Sequence, residues 1–502
     1  MAIGTEKTFA AHDPTTGAVL GEYRESSRAD VGAEVAAAEQ AFAATRHQPS
    51  STRVDWLTAI AEVFDAAGDD LLAVADMETA LGPARLTGEW ARTRAQVRAF
   101  AALVADGSYV DAVVDRPDPD SVPPRGDLRR MLVPIGPVAN FAASNFPFAF
   151  SVPGGDTIAA LAAGCPVVVK AHPSHPETSR RCAALIARAL AGAGAPEGMF
   201  TMVEGASIEV GAALVVAPEI TAIAFTGSLR GGRALYDLAA TRPVPIPVYA
   251  EMGSVNPVFV TPAALAARGD AIADGFVASM LNGTGQFCTS PGVVVVPTGE
   301  TGDGFVARVS MTVASSPAGP MLNATIRDAL TAQLERTKRL PRVVSAAGGG
   351  RSSQGFSVAA TLLVTDAATF TASPQLIEEH FGPVAVVVRS DPEAMVAVAR
   401  AIPGSLTGTI HAEADEAGSA PVLELRDALI ERVGRLVWNG FPTGVAIAPA
   451  MHHGGPYPAT THSGFTSVGQ ASVRRFLRPV TFQDVPEAAL PGVLRTRNTE
   501  AH

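Results

Sequence analysis

Three residue types, each in a short segment punctuated by glycine or proline, can together run acyl chemistry on a cysteine. Cys288 lies in Gly285-Gln286-Phe287-Cys288-Thr289-Ser290. Glu251 closes the apolar run Val248-Tyr249-Ala250-Glu251 and precedes Met252-Gly253. Asn145 sits in Ser144-Asn145-Phe146-Pro147-Phe148. A thiol attacks a carbonyl, an amide steadies the oxyanion that forms, and a carboxylate activates water. One oxyanion donor is typically worth about 2.7–4 kcal/mol of barrier. A free thiol titrates near ~8.5, so Cys288 needs a local device to ionise. Each residue has a plainer role when taken alone: a buried cysteine, a strand-end glutamate in water, an asparagine closing a turn.

The elements around them must bring them together. Residues 30–107 read as mostly helical, with Ala-rich amphipathic stretches at Val31–Thr45, Val54–Ala66 and Trp90–Val104. A polar, Pro-rich connection follows from Asp115 to Pro124. Strands and helices then alternate. Met131–Phe141, Cys165–Lys170, Met199–Val203, Thr221–Phe225 and Val244–Glu251 read as strands. Asp156–Ala163, Thr178–Leu190 and a segment running from Ser228 through Ala240 read as helices between them. This order predicts a parallel α/β sheet with ligands at the carboxyl ends of its strands.

A second α/β unit begins near Glu251. Its expected helices are Asp270–Leu281, Thr325–Arg339 and Glu393–Ala401. Its expected strands are Gly292–Val296, Ala359–Val364, Val384–Arg389 and Arg435–Asn439. The chain beyond Gly440 reads as loop, closed by a helix at Val468–Phe476 and a strand at Val480–Phe482.

No well-placed G-x-G-x-x-G occurs in the first unit. The substitute is Phe225-Thr226-Gly227-Ser228, where a strand delivers a small-residue turn into a helix N-terminus that favours a pyrophosphate. Taken alone, the same serine is an ordinary N-cap. The only lysines are Lys7, Lys170 and Lys338, so Lys170, kept at the end of the apolar run Val167–Val169, stands out as a partner for a ribose hydroxyl.

The chain has 502 residues, 47% hydrophobic and 17% charged, long enough for two or more domains. Its net charge of −11 argues against binding nucleic acid or a membrane surface. No apolar run is long enough to span a bilayer, and Met1–Lys7 lacks a signal-peptide core. Three cysteines, Cys165, Cys182 and Cys288, are too few for a disulfide framework, so a cytoplasmic, reduced protein is expected. His452, His453 and His462 lie without a matching cysteine or carboxylate spacing, and no metal is expected.

Taken together, the segments resemble the aldehyde dehydrogenase superfamily over nearly the whole chain. The matching motifs are Pro134-Ile135-Gly136-Pro137-Val138, Ser144-Asn145-Phe146-Pro147, Gly164-Cys165-Pro166 through Lys170, Phe225-Thr226-Gly227-Ser228, Glu251-Met252-Gly253, Gly285-Gln286-Phe287-Cys288 and Glu379-His380-Phe381-Gly382-Pro383. Their order and separation make the resemblance specific.

The resemblance implies an α/β fold. A Rossmann-like dinucleotide domain (1–109 and 134–250) and an α/β catalytic domain (251–440) are joined by a small β extension (110–133 and 465–502) that assembles a homodimer or homotetramer. It implies Cys288 as nucleophile, Glu251 as general base and Asn145 as oxyanion donor. It implies a cofactor site of Lys170, His172, Ser174, Gly227, Ser228, Glu379 and Phe381, taking NADP or NAD, and a small aldehyde as substrate. Further likeness in Lys170-Ala171-His172-Pro173-Ser174-His175-Pro176 and His453-Gly454-Gly455-Pro456-Tyr457-Pro458 is to the branch of 2,5-dioxovalerate (α-ketoglutarate semialdehyde) dehydrogenases and their NADP-linked fatty-aldehyde relatives. Pro173 stands where NAD-preferring members carry glutamate, and Ile208 near where NADP-linked members offer arginine. Around His462-Ser463-Gly464 the family often supplies an arginine, which is absent here. A cysteine hydrolase that uses the same thiol without a nicotinamide is the competing reading.

Overall fold

The structure, a computed structural model, describes residues 7–495. Residues 1–6, on which the reading of the N-terminus rests, and 496–502, the end of the second bridging segment, lie outside the described residues.

Near-continuous valine and alanine runs need cover on both faces, and this chain gives them parallel sheets between helices. The first sheet orders its strands Phe200–Val203, Val167–Lys170, Val138–Phe141, Ala222–Thr226 and Val248–Glu251. All neighbours are parallel. Phe141, Lys170 and Val203 finish in register, and Thr226 finishes beside Glu251. From Val138–Phe141 the chain winds outward to one side, then resumes on the other at Ala222–Thr226. The crevice beyond that reversal is where such sheets take ligands. Helices Ser50–Ala66 and Pro83–Asp106 cover one face, burying Trp56, Phe64, Trp90 and Phe100 with Phe148 in one core.

The second sheet orders its strands Val344–Gly348, Thr361–Asp366, Val384–Ser390, Val293–Pro297, Val258–Val260, Ser405–His411 and Val433–Trp438. Only the first pair is antiparallel. Helices Pro262–Leu281 and Glu300–Ser315 pack on one face around Phe276 and Phe305.

A third, smaller sheet joins Leu477–Gln483, Leu128–Pro134 and Val113–Asp115, all antiparallel. The expected strand Met131–Phe141 is therefore two strands in two sheets. Gly136, at φ 126°, turns the chain between them, and a Cβ there would lie 2.7 Å from Thr221. The expected helix Val468–Phe476 is a 3-10 segment over Gln470–Phe476. Its Val473 and Phe476 belong to the core of the first sheet.

Several elements were not anticipated: the hairpin Thr8–His12/Val19–Arg24, strands Val258–Val260 and Ser405–His411, and helices Asp69–Thr79, Glu300–Ser315 and Ala420–Ile430. The helix expected at Trp90–Val104 begins earlier, at Pro83 behind Gly82. Proline suits the first helical turn, where its missing N–H goes unused. That earlier start carries Arg85 and Glu89 onto the face that later presents Arg92.

Candidate active site

Cys288 is delivered by a tight turn. Helix Pro262–Leu281 gives way to the 3-10 turn Asn282–Gly285, in which Gly283, Thr284 and Gly285 all have positive φ. A Cβ at Gly285 would lie 2.2 Å from the Gly382 carbonyl oxygen, so only glycine lets the loop pass there. The buried Asn256 amide donates to the carbonyls of Cys288 (2.8 Å) and Ser290 (2.9 Å), pinning the loop before strand Val293–Pro297 begins. Cys288 thus fronts the amino end of the second sheet. Glu251 ends a strand at the carboxyl end of the first, so the two sheets meet head to tail across the site.

A histidine bridges them. His453 Nε2 lies 3.4 Å from Cys288 Sγ and 3.1 Å from Glu251 Oε1. All three donor atoms fall within 4.8 Å of one another. The Ser467 hydroxyl donates a short hydrogen bond to the other Glu251 oxygen, and its oxygen lies 3.2 Å from the His453 carbonyl oxygen. Glu251 and His453 are both almost wholly buried. Burial pushes the Glu251 carboxyl up, but His453, Ser467 and the Cys288 thiol outweigh it and hold it below the usual range. Burial pushes the Cys288 thiol well up, and the charges of Glu251 and Glu379 push it further, against Arg92. The resting proton therefore sits on sulfur, with imidazole and carboxylate in reach to receive it.

Asn145 is buried, and its amide donates to the Gln286 carbonyl (2.9 Å), just ahead of Cys288. Its own carbonyl accepts from Arg85 (2.6 Å), whose guanidinium lies 4.7 Å from the Phe146 ring centre and 4.6 Å from that of Phe287. The three predicted catalytic residues converge.

The predicted cofactor residues fall into two groups. Gly227 and Ser228 form an exposed helix N-terminus, where the Ser228 hydroxyl accepts from Gly231 N–H (3.1 Å). A Cβ on Gly227 would strike the Phe225 ring at 2.6 Å, so the approach there is kept bare. Lys170 donates to the carbonyls of Ala171 and Gly205, and burial lowers its pKa to about 8. Glu379 and Phe381 line a small cleft with Gly285, Phe287 and Ser254, beside the cysteine loop. Burial raises the Glu379 carboxyl to about 8, and the Glu251 charge adds to it. His172 accepts from Ser174 N–H (3.2 Å), and the buried Ser174 hydroxyl accepts from Asn323 (2.7 Å), the cap of helix Ala324–Lys338. Ser174 thereby ties the first α/β unit to the second. The Gly227 N–H is spent on the Glu251 carbonyl (3.0 Å), so the groups whose chemistry suits a pyrophosphate and a ribose are the exposed helix end that Ser228 caps and the Lys170 ammonium.

Sequence reasoning missed His453: no spacing along the chain links it to a cysteine or a carboxylate, yet the fold brings it to both. The signal was there in His453-Gly454-Gly455-Pro456, a small-residue turn like those holding the other site residues. It also missed Ser467, Arg85 and Arg92.

The profile of the aldehyde dehydrogenase family matches residues 2–477. The chain belongs to the aldehyde dehydrogenase family. It is therefore an oxidoreductase acting on aldehydes. Alpha-ketoglutaric semialdehyde dehydrogenase 2 of Azospirillum brasilense is 44% identical over 503 residues, covering 99% of this chain and 95% of that protein. The alpha-ketoglutaric semialdehyde dehydrogenase of Acinetobacter baylyi is 42% identical over 465 residues, covering 92% and 88%. Among solved aldehyde dehydrogenase folds, a 1-pyrroline-5-carboxylate dehydrogenase superposes with a TM-score of 0.80 at 24% identity, covering 95% of this chain and 90% of that one. Aldehyde dehydrogenase C of Pseudomonas syringae superposes with a TM-score of 0.81 at 23% identity, covering 96% and 95%. The family does not favour the hydrolase reading. Among the described residues, no helix is long and apolar enough to cross a membrane.

Proposed function

We propose that this aldehyde dehydrogenase oxidises α-ketoglutaric semialdehyde to the corresponding dicarboxylate, with NADP or NAD as acceptor. The observation that carries the reading is the Cys288–His453–Glu251 cluster at the meeting of two sheets. The two relatives above 40% identity supply the substrate class.

Cys288 loses its proton to the neighbouring imidazole or carboxylate and its sulfur bonds to the aldehyde carbon. The Asn145 amide and the Cys288 backbone N–H hold the resulting oxyanion. A bound nicotinamide supplies the hydride acceptor. What remains on Cys288 is a thioester. Glu251, kept ionised by His453 and Ser467, takes a proton from water, which attacks the thioester and frees the acid and the thiol.

Lys170, Gly227 and Ser228 would hold the adenosine ribose and pyrophosphate, and Glu379 and Phe381 the nicotinamide side. Pro173 removes the carboxylate that would repel a 2′-phosphate. The nearby acids are committed elsewhere: Glu25 accepts from Ala206 and Ser207 N–H, and Glu204 pairs with Arg180. NADP is therefore accepted, while exposed Ile208 offers it no cation. The sheet of Val113–Asp115, Leu128–Pro134 and Leu477–Gln483 is largely uncovered and would join subunits into a homodimer or homotetramer. Three free cysteines agree with a reducing, cytoplasmic setting.

Steady-state rates with α-ketoglutaric semialdehyde, succinic semialdehyde and a medium-chain aldehyde, each with NADP and NAD, test the reading. The dioxo acid is expected to give the highest kcat/KM. Preference for the medium-chain aldehyde would refute it.

A further inference from the structure

Helix Pro83–Asp106 sends Arg85, Glu89 and Arg92 toward the site at spacings of four and three, so they share one face. Two of the three are already employed. The Glu89 carboxylate accepts from the N–H groups of Phe148 (2.8 Å) and Ala149 (2.9 Å), and its second oxygen lies 3.8 Å from Arg85. Arg85 donates to the Asn145 carbonyl.

Arg92 is not. Its Nε and Nη2 are shielded from solvent and have no hydrogen-bond partner among the described residues. A buried guanidinium without an acceptor costs stability, so its retention calls for an absent partner. It packs on an aromatic face: the guanidinium carbon lies 5.2 Å from the centre of the Phe150 ring. Phe150 in turn lies 6.3 Å, centre to centre, from the His453 ring that touches Cys288. The charge of Arg92 is felt first at Glu89 and then at Cys288 and Glu251. A run of contacts through Phe150 and His453 thus connects Arg92 to the reacting sulfur.

Other cations near the site are spent on backbone. Arg435 donates to the carbonyls of Gly444 and Pro442. Gly464, where an arginine was sought from the sequence, lies exposed with open space around it.

We propose that Arg92 is the specificity residue that receives the carboxylate at the far end of the substrate, so that the site selects aldehydes bearing a terminal anion. This rests on the reading of the chain as a semialdehyde dehydrogenase. The planar guanidinium suits a carboxylate through paired hydrogen bonds. With the aldehyde carbon at Cys288 and the acid at Arg92, a short dioxo acid is held at both ends, and a neutral aldehyde at only one. Glu89 is the acid that acts most on Arg92, but its oxygens face Arg85 and two backbone N–H groups, and no hydrogen bond ties it to Arg92.

The test measures kcat/KM for α-ketoglutaric semialdehyde and for pentanal in the wild type, Arg92→Gln and Arg92→Lys, together with the Tm of each. The ratio of the two kcat/KM values is expected to fall about 100-fold in Arg92→Gln, chiefly through KM for the acid. Arg92→Lys is expected to keep part of the ratio, since charge survives without the fork. Neither substitution is expected to lower the Tm, because the shielded Nε and Nη2 have no hydrogen-bond partner to lose among the described residues. A wild type that strongly prefers the dioxo acid, with the ratio unmoved in Arg92→Gln, overturns the role of Arg92 and leaves the substrate reading standing. A lowered Tm with both substrates losing equally makes Arg92 structural and overturns it too. A wild type with no preference for the acid overturns the substrate reading and this inference with it.

Discussion

His453 Nε2 stands 3.4 Å from the Cys288 sulfur, although 165 residues of chain separate them. The thiol is disfavoured as an anion by burial and by two carboxylates. An imidazole that takes its proton becomes a cation beside the new thiolate and offsets its charge. His453→Gln is expected to lower kcat and the rate of iodoacetamide alkylation together, by about 100-fold or more. Stopped-flow alkylation against pH checks this. An unchanged alkylation rate would remove His453 from the activation of the thiol.

Glu251 serves the second half of the reaction. Glu251→Gln is expected to form the thioester and then stall. A burst of reduced nicotinamide, stoichiometric with enzyme, would precede turnover reduced by about 100-fold. Intact-protein mass spectrometry is expected to find the acyl group on Cys288. Because His453 and Ser467 keep the carboxyl below its usual range, deacylation in the wild type is expected to persist into mildly acid solution.

Lys170 trades stability for ligand. Its folded pKa of about 8 lies below the ordinary lysine value of 10.5. Between those values the unfolded chain holds more protons, so stability rises with pH across that window and the penalty is full below it. Lys170→Met is expected to raise the Tm at neutral pH by about 2–4 °C or more and to flatten its rise above pH 8. The KM for the dinucleotide is expected to worsen. Calorimetry across pH, alongside cofactor titration, checks both.

Glu379 shows the opposite sign. A carboxyl raised to about 8 binds its proton more tightly in the folded chain, so stability is greatest in acid and declines as pH climbs from 4.5 toward 8. Glu379→Gln is expected to lose that decline and to exceed the wild-type Tm at alkaline pH. Thermal melts over the range decide it.

The sequence made the near ends of the site readable and hid the far ones. Cys288, Glu251 and Asn145 each sit where a strand or helix stops at glycine or proline, and such punctuation marks exposed functional loops. His453 lies in a long irregular stretch, and its partners come from two other segments, so no local pattern reports the contact. Arg92 looks like one of several arginines on an amphipathic helix, and only packing distinguishes it from Arg94 and Arg98, which pair with Asp65 at the surface. The fold behaved alike. The valine-rich strands stood out, whereas Ser405-Leu406-Thr407-Gly408-Thr409-Ile410-His411 did not. It is wholly buried despite its polar alternation, with the Thr407 hydroxyl bonded to Asn256 and the Ser405 hydroxyl to the Pro403 carbonyl. Val258–Val260 is too short to announce itself.

One ribbon of chain, from Ser467 to Gln483, fastens three things in turn. Its serine grips Glu251, its Arg475 locks onto Asp156 in a buried ion pair, and its last strand forms the rim of the uncovered sheet. Whatever anchors that rim also steadies the proposed base. Loosening the rim, by dilution into monomers or by a clash engineered at its outer edge, would slacken catalysis from a distance while leaving the cysteine loop untouched.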